Sequence, residues 1–367
     1  MTTKTKKLLM LIVALITSTT IFIGCNDVEE DSALGSYIKK KLYEYGVNFN
    51  IISYSSGGSN TYLLKFANRN DFEHLFDALS YAQNMYDSLF IDSCITANPS
   101  ALYFVNDSIG LDEYKVLDDF ISKIGFNNSM LSEYKIIEHN WLSQEYSSLD
   151  STSLSVGDPA NMFPFDDAYL ALINNRGEVM IGDTILKYTN SGCIAITDGN
   201  LSTLIDINNG LDVSNYKNVI VLSINEQQSN CKSYAQKIRY FFDNSYYGLP
   251  LLHNLKIKFS NNFLHFAVTS VVIRSYITLE NPNTKKYKNY KISGVRKGVH
   301  ANMEVYDFYC KRIIRDVSDW DHSRKHKLVV YVSKFDNGSG PLKFVPNSSV
   351  WGGYTFGGSS EQGFYLY

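Results

Sequence analysis

The sequence predicts an α+β fold in which a mixed N-terminal part is followed by a β-rich, sandwich-like C-terminal domain. Apolar residues recur at helical spacing in the first half of the chain, whereas short segments of alternating apolar and polar residues follow residue 255. With 367 residues, 44% of them hydrophobic, the chain is long enough for two domains or three small ones. The predicted divisions are a signal segment over 1–24, an acidic tether over 25–35, an α+β domain over 36–157, a β-meander with a helix over 158–254, and a sandwich-like domain over 255–367.

The N-terminal part is predicted to contain a β-hairpin and several helices. Strands over Val47–Tyr54 and Tyr62–Phe66 flank a turn that contains two glycines. A helix is predicted to begin at Asn70, with Glu73 completing a capping box. Gly125 is the expected stop of a later helix. The further helices predicted here cover 36–45, 111–124 and 130–139.

The middle and C-terminal parts are predicted to be mostly β. Between residues 158 and 254, Gly and Asn turns separate short apolar segments, which is typical of a meander. The elements expected there are strands over 168–173, 178–181, 184–188, 193–197 and 219–224, and one helix over 229–242. Further along, the expected strands cover 263–269, 271–279, 290–295, 303–314, 327–332, 344–345, 354–356 and 364–367. Antiparallel strands at this spacing favour a sandwich.

The first 24 residues have the pattern of a secretory signal. Three lysines before residue 8 precede an apolar run over 8–23, and Cys25 follows Gly24. The run is shorter than the roughly 20 apolar residues that a membrane span needs, and an uncleaved anchor helix is the alternative. The pattern resembles a lipoprotein signal peptide. The resemblance implies acylation of the Cys25 thiol, cleavage before Cys25, and attachment to a membrane through the lipid.

Several features resemble exported lipoproteins of Bacteroidetes. Four of residues 26–31 are Asp or Glu, like the acidic export signal of surface lipoproteins, and Leu170–Tyr188 resembles a segment of uncharacterised lipoproteins from gut members of the phylum. Five Asp-(Ser/Thr) triplets, against roughly two expected from composition, resemble the O-glycosylation sites of that phylum. The implied acceptors are Ser32, Ser88, Ser108, Ser151 and Thr184. The resemblance implies an outer-membrane location at the cell surface, or otherwise at the periplasmic face, and no catalytic residue.

Charge is distributed unevenly along the chain. The formal net charge of −3 gives no global field that attracts nucleic acid. Residues 281–330, however, contain twelve Lys or Arg and only five Asp or Glu. We expect these cations to lie on the outer faces of strands, and the alternative is a surface for acidic glycans or lipid head groups.

Four cysteines remain besides the acylated one, namely Cys94, Cys193, Cys231 and Cys310. Disulfides form in exported proteins, and four cysteines allow three pairings. Four free buried thiols are the alternative. Cys231, near the start of a predicted helix, is also a candidate nucleophile if His253 or His265 lies beside it.

The densest polar cluster is the segment 319–326. Its candidate ligands for a divalent metal are Asp319, Asp321, His322 and His326. Arg324 and Lys325 in the same segment repel a cation, so we expect a solvated loop between strands and no metal or other cofactor. The sequence also contains no Gly-x-Ser-x-Gly, Walker-type or His-Glu-x-x-His motif.

Aromatic residues lie among glycines near the C-terminus. Trp351, Tyr354 and Phe356 alternate with Gly352, Gly353, Gly357 and Gly358. Flat aromatic rings stack on the faces of sugars, and glycines let a ligand approach the backbone. These three aromatic residues are therefore a candidate glycan platform, and packing inside a terminal sheet is the alternative.

Together, these features predict a lipid-anchored envelope protein that binds a glycan or protein partner and is not an enzyme. The membrane is contacted through the lipid, and no nucleic-acid partner is expected. One alternative is an envelope hydrolase whose catalytic residues are scattered along the sequence. A second is a fimbrial or adhesin-type subunit, which the helices predicted between Asn70 and Gly125 disfavour because such subunits are nearly all β.

Overall fold

A computed structural model describes most of the chain after the predicted tether. The described residues are 47–97, 103–150, 153–154, 156–159, 166–189, 192–223, 237–243, 251–260, 267–306, 312–321, 324–336, 343–344, 349–355 and 362–366. The predicted signal, tether and first helix lie outside these residues. In the part that is described, no helix combines the length and the apolar character needed to cross a membrane.

The chain is an α+β protein, as predicted. Its helices are Arg69–Ala97 (α1), Asn106–Ile109 (α2), Lys115–Ile124 (α3), Met130–Ser143 (α4), Asp167–Leu172 (α5) and Leu201–Asn208 (α6). Its strands are Phe49–Ser56 (β1), Ser59–Phe66 (β2), Phe104–Val105 (β3), Glu178–Ile181 (β4), Thr184–Thr189 (β5), Gly192–Ile196 (β6), Val219–Ser223 (β7), Lys237–Asp243 (β8), Leu251–Ser260 (β9), Ala267–Glu280 (β10), Tyr287–Ser293 (β11), Arg296–Tyr306 (β12), Arg312–Trp320 (β13), Lys327–Asp336 (β14), Lys343–Phe344 (β15), Ser349–Thr355 (β16) and Gln362–Tyr365 (β17).

The N-terminal sheet has the strand order β1-β2-β4-β5-β6-β7. All neighbouring strands are antiparallel except β2 and β4, which are parallel. Both faces are covered because apolar residues alternate between them: Val179 and Ile181 face the helices, whereas Met180 packs with Leu204 of α6. This sheet joins strands from both sides of the predicted division at 157/158, and the helices share one core with it.

Helices α1, α3, α4 and α5 form a layer between the N-terminal sheet and the β-rich half. On one side they pack into the core of the N-terminal sheet. On the other side Phe76 contacts Tyr331 edge-on, and Trp141 contacts Tyr276 with ring centroids 5.3 Å apart. α3 ends where predicted, because Gly125 takes up the left-handed conformation at φ 72°.

The β-rich half is a two-sheet sandwich. A central sheet has the order β3-β11-β10-β9-β8, with β14 also paired to β10, and a C-terminal sheet has the order β13-β12-β16-β17, with β15 paired to β12. Residues of both sheets meet in one apolar core, including Leu255, Ile273, Val299, Val350 and Phe364. The two-residue strand β3 belongs to the N-terminal part, so the helical layer also contributes an edge to the central sheet.

Two predicted elements have the wrong type. Residues 168–173 were expected to be a strand but form α5, which Asp166 caps by accepting from the Ala168 N–H at 2.9 Å. All of Ala168–Leu172 are buried, so no polar face marks the helix. The helix expected over 229–242 is also wrong, because Lys237–Asp243 forms β8. Aromatic residues face both sides of β8, and this spacing imitates a helical stripe.

Several boundaries also differ from prediction; for example, the break expected between the strands over 263–269 and 271–279 lies inside β10. The single strand expected over 303–314 is two antiparallel strands, in which Tyr306 of β12 pairs with Arg312 of β13. α1 begins one residue earlier than expected, and Asn68 caps it by accepting from the Asp71 N–H at 3.1 Å. Glu73 does not close a capping box there but pairs with Arg69 one turn away.

Candidate functional site

The exposed side of the C-terminal sheet carries a row of glycines covered by tryptophans. Across four strands, Trp320 pairs with Gly298, Gly298 with Gly353, and Gly353 with Gly363. Directly paired residues point to the same side of a sheet, so the three glycines form a strip without side chains. Trp351, two residues before Gly353, belongs to the same face.

The two indole rings fill this strip. A Cβ atom at Gly298 would lie 2.6 Å from Cδ2 of Trp320, and a Cβ at Gly353 or Gly363 would overlap the ring of Trp351. The rings therefore lie directly on the backbone, which only glycine permits. Their centroids are 6.1 Å apart at an angle of 56°, so together they form a shallow, angled aromatic floor.

Polar and aromatic groups surround the two rings. The guanidinium of Arg296 stacks 5.3 Å from the ring of Trp320, and His300 lies directly opposite Trp351. On the other side of Trp351 is Tyr365, which is 53% exposed. We refer to Trp320, Trp351 and Tyr365, with the three glycines beneath them, as the aromatic face.

The predicted glycan platform is therefore only partly assembled in the structure. Trp351 lies on the outer surface, but Tyr354 points to the opposite side of β16 and is fully buried. Its ring packs on His253 with centroids 3.8 Å apart, among the apolar residues between the sheets. Phe356 lies outside the described residues. Trp320 was not among the predicted residues of the platform, and the sequence signal that identifies it is the set of glycines inside strands.

A polar cleft of about 230 Å³ lies between α4 and β11. We call it the α4–β11 cleft. Its walls and rim are formed by Asp107, Tyr114, Lys135, Glu138, His139, Leu142, Ser143, Lys288, Asn289, Tyr290 and Lys291. Tyr114, Glu138 and Asn289 are buried and form the floor, whereas Asp107, His139 and Ser143 are exposed at the rim.

A chain of charged groups runs from this cleft into the protein. Glu138 Oε2 accepts from the Tyr114 hydroxyl and from Lys291 Nζ, both at 2.7 Å. Lys291 Nζ also donates to Glu113 Oε2 at 2.9 Å, and the other oxygen of Glu113 contacts Nδ1 of His326. The two carboxylates thus share the ammonium group of Lys291, so neither of them is buried without a cation beside it.

The charged partners shift each other's pKa values. Burial opposes ionisation of Glu113, but the charges of His326 and Lys291 outweigh it and hold its pKa well below the usual range. Burial lowers the pKa of His326 despite the neighbouring Glu113. Because an ionised carboxylate only accepts hydrogen bonds, Nδ1 of His326 carries a proton and donates to Glu113 whether the ring is neutral or charged. This arrangement is a buried, stable hydrogen-bonded pair.

Several cations of the β-rich half are paired with acids of the N-terminal part. Arg274 Nη2 lies 2.7 Å from Asp158 Oδ2, and Lys327 Nζ lies 2.5 Å from Asp167 Oδ2. Lys325 Nζ lies 3.7 Å from Asp87 Oδ2. The expectation that the basic segment 281–330 lies on outer strand faces is wrong for Lys291, Lys297, Lys325 and Lys327, whose side chains are at most 17% exposed. Lys291, Lys325 and Lys327 connect the two halves of the chain, whereas Lys297 pairs with Asp321 within the β-rich half.

The residues of the metal hypothesis do not come together. Asp319 is exposed on β13, Asp321 lies 2.8 Å from Lys297 Nζ, and His326 contacts Glu113. The burial of Asp321 and His326 contradicts the solvated loop that was expected for this segment. His322 lies outside the described residues, and among those described no group of His, Cys, Asp or Glu has the geometry of a metal site.

The cysteines and glycosylation candidates are only partly described. Cys94 and Cys193 are free thiols, and burial raises the pKa of Cys193 to about 12. Cys25, Cys231, Cys310 and His265 lie outside the described residues, as do Ser32 and Ser151. Ser88 donates a hydrogen bond to the Asn84 carbonyl within α1, and Ser108 donates to the Val105 carbonyl just before α2. Thr184 is only 7% exposed, so the folded chain does not present it as an acceptor.

Comparison with protein-family models, curated proteins and solved structures finds no match for this chain.

Proposed function

We propose that this chain is a lipid-anchored envelope protein that binds a glycan on its aromatic face. The observation that carries the proposal is the pair of tryptophans lying on glycine backbone at an exposed sheet surface. Large apolar rings at a protein surface are typical of binding sites, because rings in that position do not contribute to the packing of the core. Arg296 and His300 beside the rings supply polar groups that can contact sugar hydroxyls or acids.

The test is glycan-array binding by the full-length protein and by matched variants. Trp351→Ala and Trp320→Ala each remove one ring without changing the glycines beneath it. Aromatic hot-spot residues contribute about 2 kcal/mol or more to binding, so we expect each variant to bind about thirtyfold more weakly. Tyr62→Ala is the control, because Tyr62 is an exposed ring, 42% accessible, on the N-terminal sheet and outside the aromatic face. An array profile unchanged by both tryptophan variants would refute glycan binding at this face.

The anchor is a separate part of the proposal. The Cys25 pattern and the acidic residues after it support attachment to the outer membrane with the folded part at the cell surface. We expect Cys25→Ala to release the protein from the membrane fraction, and surface proteolysis of intact cells to remove the unmodified protein. Protection of the protein in intact cells, with degradation after the outer membrane is opened, would place it at the periplasmic face.

The second candidate function is an envelope hydrolase that uses the α4–β11 cleft. Glu138, Asp107 and His139 line the cleft, and glycoside hydrolysis requires two carboxyl groups on either side of the scissile bond. We rank it below binding because Lys291 and Tyr114 already hold one oxygen of Glu138. Mass spectrometry of array ligands after incubation distinguishes the two: turnover that Glu138→Gln abolishes would favour the hydrolase.

A further inference from the structure

An arginine without a carboxylate partner lies beside the aromatic face. Arg296 is exposed on β12, two residues before Gly298, so its side chain is on the same side of the sheet as the tryptophan rings. Its guanidinium lies 5.3 Å from the centroid of the Trp320 ring. In the described part of the chain, no Asp or Glu oxygen lies within ion-pair distance of this guanidinium.

The acids of the same sheet are placed elsewhere. Glu304 contacts Arg312 farther along β12 and β13. Asp316 Oδ1 lies 3.9 Å from Nδ1 of His300. Asp319 is on the opposite side of β13, because it lies one residue along the strand from the ring that covers the glycines. Among the residues that the structure describes, the cation beside the rings is therefore not neutralised.

The strand register brings this cation close to the second tryptophan. Arg296 pairs with Thr355 across β12 and β16, and the next pair on that side of the sheet is Gly298 with Gly353. The ring of Trp351 lies directly on Gly353. A sugar that stacks on Trp351 therefore has the guanidinium of Arg296 at its side.

A guanidinium group held in this way is suited to bind an oxyanion. It is planar and always charged, and its N–H groups match the paired oxygens of a carboxylate or a similar anion. Stacking on the Trp320 ring limits the orientations of the side chain, so less freedom is lost when a ligand binds. Neutral sugar hydroxyls make weaker hydrogen bonds with the same donors.

We propose that the glycan bound on the aromatic face is acidic. Its carboxylate or sulfate group pairs with Arg296, and the sugar that carries this group stacks on Trp351. The inference rests on the glycan binding proposed above and adds the chemical class of the glycan.

The first experiment compares acidic glycans with neutral partners of the same backbone, using the full-length protein. Oligogalacturonides and their methyl esters differ in the carboxylate charge, and maltose oligosaccharides with and without sulfate groups differ in the sulfate. Further acidic and neutral pairs are included on the glycan array. We expect the acidic member of at least one pair to bind at least about threefold more tightly, and that pair identifies the anion.

The outcomes separate this inference from the proposed function. Glycan binding without a preference for the acidic member in any pair overturns the acidic class and leaves glycan binding in place. Failure to bind any glycan on the array overturns both.

Variants then locate the anion site. Arg296→Gln is expected to lose the preference for the acidic member and to bind the neutral member within about twofold of wild type. Arg312→Gln is the matched control, because it removes the same charge from the same side of the sheet at a residue that already contacts Glu304; we expect it to keep the preference.

Three results with these variants would refute the assignment. A preference that survives Arg296→Gln would show that another group reads the anion. Equal loss of the preference in Arg296→Gln and Arg312→Gln would indicate non-specific charge attraction. Equal loss of acidic and neutral binding in Arg296→Gln would show that the arginine only supports the Trp320 ring.

Discussion

The buried ion pair between Asp158 and Arg274 gives the sharpest test of how the two halves are joined. Arg274 Nη2 donates to both oxygens of Asp158, at 3.0 and 2.7 Å, and the side chains are 0% and 1% exposed. Asp158 Oδ2 also accepts from the Tyr240 hydroxyl and from Asn254 Nδ2, each at 3.0 Å. Asp158→Asn keeps the shape of the side chain and removes its charge.

The expected loss of stability follows from the charge that remains buried after the substitution. Burial opposes the charge of Arg274, and Asp158, which raises the pKa of the guanidinium, loses its charge in the variant. An arginine side chain stays protonated in proteins, so Arg274 remains charged without its partner. An unpaired buried charge next to Trp141 and Tyr276 destabilises a protein by about 3–5 kcal/mol. By comparison, Glu280→Gln breaks the exposed ion pair with Lys285, and we expect it to lower the free energy of unfolding by about 0.5 kcal/mol or less.

Urea unfolding, followed by far-UV circular dichroism and by tryptophan fluorescence, measures the free energy of unfolding of each variant. Coincident transitions would show that the halves unfold together, which the buried pairs between them predict. The double variant Asp158→Asn/Arg274→Gln should lose less stability than the sum of the single variants, because no charge remains unpaired. A loss below about 1 kcal/mol for Asp158→Asn would show that the pair is hydrated or not formed, and would refute the reasoning.

Three further predictions concern other residues. Burial raises the pKa of Asp87 to about 8, although Lys325 opposes the shift. The stabilisation from this raised pKa is complete below about pH 4, decreases as the pH rises and is gone above about pH 8. In urea unfolding, the wild type should therefore lose stability between about pH 4 and pH 8, and Asp87→Asn should not show this loss. Gly353→Ala should displace the ring of Trp351 and lower the free energy of unfolding by about 1 kcal/mol. The displaced ring should shift the tryptophan fluorescence to longer wavelength, and an unchanged spectrum would contradict the packing. Cys193 should resist iodoacetamide in the native protein and react after unfolding, and rapid native labelling would show that it is accessible.

Local signals in the sequence predicted the elements that depend on local chemistry. The hairpin of β1 and β2 turns at Gly57 and Gly58, both at positive φ, and the meander of β4, β5 and β6 follows its Gly and Asn turns. The type of α5 and β8 could not be predicted in this way. α5 is buried on all sides, and β8 has aromatic residues on both of its faces, so the pattern of polar and apolar residues does not report their periodicity.

The candidate sites depend on residues that are distant in sequence. The aromatic face combines Trp320 of β13 with Trp351 of β16 through glycines of β12, β16 and β17, and only the strand register brings them together. The α4–β11 cleft likewise combines Glu138 with Asn289 and Lys288. Motif spacing cannot reveal such sets, although glycine inside a strand is a local sign that another group lies on the backbone.

Part of the basic excess of residues 281–330 is directed into the protein. In the folded chain, Lys291, Lys325 and Lys327 are directed at acids of the helical layer. Buried pairs of this kind add little net stability compared with apolar packing, but a wrong docking of the two halves would leave each charge unpaired. The charge pattern therefore specifies how the sandwich sits on the helices. Lys288 and Arg296 are not used in this way: the ammonium of Lys288 lies beside Tyr290, and the guanidinium of Arg296 lies beside Trp320 of the aromatic face.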